Sequence, residues 1–158
     1  MVSNRRLILG DVIEIPLSNG NLAYAQFVYN HKEKPVWGHL IRVLPGVFRT
    51  RPADFKELVK KEERFCAFFP AGAAVRRGVV KIASSEKIPQ GKENLPLFRA
   101  TNDLSKRGNK RWWLWDGKNS REIGVLTSEQ SDFPLKEIVS LDVLVERIEK
   151  GWTPREEV

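Results

Sequence analysis

Apolar and polar positions alternate through the first third of the chain. In Asp11-Val12-Ile13-Glu14-Ile15-Pro16-Leu17, the side chains of Ile13, Ile15 and Leu17 fall on one face at a period of two, which predicts a half-buried strand. Pro16 marks the end of that strand or places it at an edge. Ser18-Asn19-Gly20-Asn21 follows, and Asn-Gly supplies the positive φ angles of a tight hairpin. Residues 22–29 return as an aromatic-containing second strand, residues 30–35 form a polar loop, and residues 36–43 give a third strand. A β-meander is the expected product.

Pro45-Gly46 signals a turn. Residues 51–63 predict a short helix: Pro52 suits its first position, Asp54 its positive end, and Phe55, Leu58 and Val59 form one stripe. Residues 65–69 form an apolar run and predict a buried strand. Ala71-Gly72-Ala73-Ala74 reads as small and flexible, residues 75–82 as a strand, and residues 84–96 as a polar loop. Short strands are expected at 97–101, 111–116 and 122–126, with Asp116-Gly117 as a hairpin turn. The period then changes. Ser140 is a good N-cap, Leu141, Leu144, Val145 and Ile148 form an i, i+3, i+4, i+7 stripe, and Gly151 sits at a left-handed C-cap position. No repeat, low-complexity tract or linker divides the chain. The expectation is one domain over 1–158, mostly β (α+β): a curved antiparallel sheet or SH3-like barrel with one or two peripheral helices, the C-terminal one near 141–150.

Composition supports a real core: the 158 residues are 41% hydrophobic and 30% charged. The formal net charge of +7 changes the picture only when followed along the chain. It is +4 over residues 1–60, +7 over 61–120 and −4 over 121–158. A basic body and an acidic tail invite an acidic partner for one surface. The densest basic stretch, residues 99–121, contains Trp112-Trp113-Leu114-Trp115. Cations interleaved with rings are what a single-stranded nucleic-acid platform needs. There Lys106, Arg107, Lys110 and Arg111 would meet phosphates, and one of Trp112, Trp113 or Trp115 would stack on bases. Alternation puts Trp113 and Trp115 on one face and Trp112 with Leu114 on the other, so only one set is exposed if the other packs the core. The plainer reading, a buried strand beside a solvated hairpin loop, is preferred, because tryptophan in a short strand usually belongs to the core.

Reactive chemistry is sparse. The single Cys66 cannot form an intramolecular disulfide, which points to a reducing compartment, and its apolar run suits an inert core thiol. Leu7-Ile8-Leu9 is too short for a signal-peptide apolar region, and the run over 65–75 is broken by Pro70 and Gly72, so a cytoplasmic protein without a membrane partner is expected. Two histidines and one cysteine make no zinc constellation, and no cofactor fingerprint is present. His31 lies in a lysine-containing loop, His39 lies within a strand, and each reads as structural or surface. Glu62-Glu63 are adjacent and point to different sides of a helix. No catalytic residues are assigned, and the expectation is a protein that is not an enzyme.

The order of these pieces resembles the immunity protein 26 family, small and mostly β proteins of bacterial polymorphic-toxin systems. The resemblance runs from Gly10-Asp11-Val12-Ile13-Glu14-Ile15-Pro16-Leu17, the Asn-Gly turn and Leu22-Ala23-Tyr24-Ala25-Gln26-Phe27-Val28. It continues through the apolar run 65–69, Gly78-Val79-Val80 and Leu95-Pro96-Leu97-Phe98-Arg99. It ends with the tryptophan strand and Asp116-Gly117, Ile123-Gly124, and Leu144-Val145-Glu146-Arg147-Ile148 before Gly151. The basic stretch 106–111 departs from that pattern. The resemblance implies a non-catalytic protein that neutralises a cognate toxin by direct contact, through a preformed surface with aromatic and arginine anchors. A basic chain does not fit the simple pairing of an acidic inhibitor with a basic nuclease. Either the acidic helix face (Asp142, Glu146, Glu149) makes the contact, or the target surface is itself acidic. A nucleic-acid-binding β-barrel is the alternative.

Overall fold

The computed structural model describes residues 5–103 and 110–157. Five strands, β1 (Asp11–Pro16), β2 (Leu22–His31), β3 (Gly38–Val43), β4 (Phe65–Phe68) and β5 (Lys81–Ser85), form an open antiparallel sheet in the order β4-β3-β2-β1-β5. A second antiparallel sheet has the order β6-β7-β8, from Phe98–Ala100, Trp112–Trp115 and Ser120–Gly124. The mostly β class, the opening hairpin and the C-terminal helix agree with the sequence pattern. Register slips interrupt β1 against β5 at Val12/Ile13 and β2 against β3 between Phe27 and Tyr29. Such bulges bend a strand and raise its twist.

Both faces of the large sheet are covered. Ile13, Ile15, Ala25, Phe27, Ile41 and Val43 point to the main core, which α2 (Ala71–Arg76) and α3 (Leu141–Lys150) close through Ala71, Ala74 and Leu144. The alternate positions serve the other face. There Val12 and Tyr24 pack with α1 (Phe55–Leu58), while Val28, Leu40 and Phe68 pack against Phe98 and Trp115 of the second sheet. Strand β2 is consequently buried at Ala23 through Val28, like a strand of a two-sided layer.

That second face carries a row of polar groups across the strands. Glu14 opposes Tyr24, Val12 opposes Gln26, and Gln26 opposes Arg42. The Tyr24 hydroxyl donates to Glu14 at 2.8 Å, and Arg51 reaches the same carboxylate at 2.9 Å. Arg42, only 1% exposed, donates to Gln26 Oε1, to Glu63 and to the carbonyls of Val59 and Lys61 at 2.7–3.0 Å. Each nitrogen of this buried guanidinium therefore has an acceptor in place.

Four predicted elements are corrected. The helix expected over 51–63 occupies only Phe55–Leu58, with Asp54 as N-cap accepting from the Glu57 N–H at 3.0 Å. It stops where the Val59 and Lys61 carbonyls turn to Arg42 instead of to a further helical turn. The segment read as flexible, Ala71-Gly72-Ala73-Ala74, is helical, in keeping with alanine's intrinsic preference and its small footprint against the core. Its helix ends before Gly78, at φ 74°, so the strand expected over 75–82 begins only at Lys81. The last strand starts two residues earlier than expected, at Ser120, and ends at Gly124. By contrast α3 matches its signals: the Ser140 hydroxyl accepts from the Val143 N–H at 3.2 Å, and Gly151 caps at φ 65°.

Replacing Arg42 with Ala leaves Glu63 to Lys92 alone and strands three further acceptors, and we expect urea unfolding to show a loss of about 3 kcal/mol. A loss below about 1 kcal/mol would contradict the role given to this side chain. Acid titration gives a second check. Burial opposes the charge on Glu63, but Lys92 and Arg42 outweigh it and hold the carboxyl below its ordinary value of 4.5. Glu14 is likewise held low by Arg51 and Tyr24 against its own burial. Their folded-state values are depressed, so their stabilisation is complete above about pH 4.5 and fades as pH falls through the lower folded values. We expect unfolding free energy to decline below that pH and the Glu63→Gln variant to show a shallower decline.

Candidate functional site

The tryptophan strand is mostly inside. Trp112 and Trp115 are buried, and Trp113 is half-buried. Trp112 and Trp115 lie on opposite faces of β7, and both are buried because both faces are covered. Trp115 packs with Phe98 and Phe68 at ring separations of 5.5 and 6.0 Å, and Lys136 lies 4.7 Å from its centroid. Arg99 lies over Trp112 at 4.7 Å and Lys110 at 5.9 Å. The Arg99 guanidinium is fully buried and donates to the carbonyls of Phe133, Ser131, Glu157 and Pro154. Burial lowers its pKa to about 10, which still leaves it charged at neutral pH.

These placements revise the basic, aromatic surface read from the sequence. Trp115 is a core residue, so it offers no ring to a partner. Lys110 is also buried, against Trp112, which removes it as a phosphate contact. Arg111 is exposed and lies 3.5 Å from Glu122. Trp113 keeps one accessible side. Lys106 and Arg107 lie outside the described residues.

The acidic helix face is partly engaged as well. Asp142, Glu146 and Glu149 are all exposed on α3. Glu146 accepts from Lys150 at 2.6 Å, and that ammonium holds its carboxyl below the usual range. Glu149 accepts from the backbone N–H of Ser18 at 3.1 Å and from its hydroxyl, fastening α3 to the β1–β2 turn. Arg147 points the other way, over Trp152 at 4.0 Å and onto Glu137.

The two histidines differ. His31 Nδ1 accepts from the Trp37 N–H at 3.1 Å, so its proton sits on Nε2 and is donated to the Gly117 carbonyl at 2.6 Å. This buried ring joins β2 to the β7–β8 turn and has no free nitrogen. His39 Nδ1 accepts from the Gly72 N–H at 3.1 Å, which places the neutral ring's proton on Nε2. Among the described residues Nε2 has no protein partner. Burial, then the charges of Arg76 and Arg6, lower the His39 pKa and favour that neutral form.

His39 lines a cavity of about 470 Å³ together with Arg6, Asn30, Gly72 and Arg76, over a floor that includes Phe27. The N-terminal segment is held over it by Asp11, which binds Arg5 at 2.6 and 2.8 Å and accepts from the Ile8 N–H at 2.8 Å. Of the polar lining and the helix backbone, the sequence pattern marked only His39 and Gly72, in separate segments, and gave no signal at Arg6 or Arg76. Positions 6, 39, 72 and 76 carry no shared spacing, and only the packing of α2 on β3 brings them together.

Cys66 has its thiol pushed up to about 12 by burial, with Glu63 adding to the shift. Among the described residues, no group of three or more His, Cys, Asp or Glu side chains could hold a metal ion, and no helix is long and apolar enough to cross a membrane. No protein-family profile, curated protein or solved structure matches this chain.

A thiol with so little thiolate reacts slowly with disulfide reagents. We expect the native protein to be modified on the order of a hundredfold more slowly than the urea-unfolded chain at pH 8. Equal rates would contradict an inert Cys66.

Proposed function

We propose that this chain is a non-catalytic protein-binding domain of the immunity type its sequence resembles, neutralising a cognate bacterial toxin by direct contact. The observation that carries this reading is the division of cations between interior and surface. Arg42, Arg99 and Lys110 are buried with partners of their own, whereas Arg6 and Arg76 are exposed and make no ion pair among the described residues. They flank a preformed concavity on a sheet whose geometry is fixed from both faces. Arginines at the rim of a preformed concavity suit recognition of a protein surface of opposite charge. The acidic helix face considered from the sequence is disfavoured, because Glu146 and Glu149 already have intramolecular partners, and the cationic face around α2 takes the place of the basic stretch 106–111.

Tagged protein is expected to capture the product of a neighbouring toxin gene. Arg76→Glu is expected to weaken that capture at least tenfold, and Asp142→Lys to leave it within about twofold. Capture of no neighbour-encoded protein, or loss on Asp142→Lys alone, would overturn the reading. The nucleic-acid alternative retains only Arg111 and Trp113 among the described candidates. A low-salt gel shift with single-stranded DNA is expected to show no complex, since phosphate binding would be strongest there.

A further inference from the structure

The cavity beside α2 has a one-sided chemistry. Its ionisable lining is cationic, and no carboxylate contributes to it. Arg5 is neutralised in place by Asp11, but the Arg6 and Arg76 guanidiniums have no such partner among the described residues. The floor is apolar, with the Phe27 ring tilted against the His39 ring at 4.6 Å and Leu7 and Val75 alongside. Gly72 makes this possible. A Cβ there would lie 2.8 Å from His39 Cε1, so only glycine lets the helix backbone come close enough to grip Nδ1 and leave Nε2–H as the ring's free donor. Two fork-shaped cations, a neutral N–H donor and the Asn30 amide thus surround a space large enough for a side chain.

We propose that this cavity is a carboxylate socket, in which Arg6, Arg76 and the His39 Nε2–H bind the carboxylate of an acidic residue while Phe27 and its apolar neighbours receive the stem that carries it. The socket deepens the protein-binding reading, on which it rests only for the identity of the ligand's owner. A bare inorganic anion satisfies the cations but leaves the apolar floor wet. A carboxylate on an apolar body satisfies both.

The test is an NMR titration of the purified full chain with sodium benzoate at constant ionic strength, following the Cε1–H signals of the two histidines. His31, locked between Gly117 and Trp37, is the internal control. A saturable shift is expected at His39 and none at His31, with a dissociation constant on the order of millimolar for so small a ligand. Inorganic phosphate is expected to bind about fivefold more weakly, because it cannot use the floor. Arg76→Gln, at an exposed position, is expected to weaken benzoate about tenfold with the fold intact by circular dichroism. Gly72→Ala is expected to abolish the His39 response. Equal or unsaturated shifts at both histidines, tighter binding of phosphate than benzoate, or an unchanged Arg76→Gln would each overturn the socket. No partner protein takes part, so failure here concerns the socket alone, while failure to capture a neighbour-encoded protein concerns the broader reading alone.

Discussion

Among the described residues two guanidinium groups, those of Arg42 and Arg99, sit out of water, and the chain is arranged to give them acceptors. A buried cation without partners is prohibitively costly, so the positions of its acceptors are constrained as tightly as any core contact. Arg42 fixes the path of residues 59–63 after α1, and through Glu63 it draws in Lys92 from a distant loop. Arg99 does the same at the other end of the molecule. It has no carboxylate within ion-pair distance among the described residues and depends on four backbone carbonyls, from 131–133 and from 154–157. Those bonds strap the C-terminal segment across the second sheet. The backbone continues the strap, since the Arg99 N–H donates to Pro134 and its carbonyl accepts from Lys136.

This arrangement decides what the basic character of the chain can do. Charge that looks available in the sequence is partly structural. Arg99 and Lys110 lie against Trp112, Lys136 lies against Trp37 and Trp115, and Arg147 covers Trp152. A cation held over a ring in the interior is already desolvated and occupied. Among the exposed cations left to a partner, Arg6 and Arg76 stand out because they flank a cavity, on the other side of the large sheet, where the N-terminal segment, β3 and α2 meet around His39. The surface proposed for recognition is set by where two arginines the core did not need meet a preformed cavity.

The sequence made the first four strands of the large sheet and the last helix readable because their signals are local. Period-two alternation marks β1 and β2, Asn19-Gly20 closes their hairpin, and Ser140 and Gly151 cap α3 at both ends. It misled where a tertiary contact overrides propensity. The helix at Asp54 is cut short by Arg42, a residue far from it in sequence, and the alanine run became helical because the core had room for small side chains there. The site was the least legible part. Tryptophans and lysines at 106–115 drew attention by density, yet Trp112, Trp115 and Lys110 are buried because tertiary packing covers both faces of β7, with Phe68 and Phe98 on one and Arg99 on the other, which no local pattern announces. The cavity residues at positions 6, 39, 72 and 76 are unremarkable one by one, and Gly72 shows its purpose only beside the His39 ring.

The central claim is that recognition uses the cationic face around α2 and not the acidic face of α3. The most direct measurement is amide hydrogen exchange of this chain, free and bound to the captured partner. New protection is expected in the segments 5–9 and 71–78, with 141–150 unchanged. Protection confined to α3, with 5–9 and 71–78 exchanging as in the free protein, would contradict it.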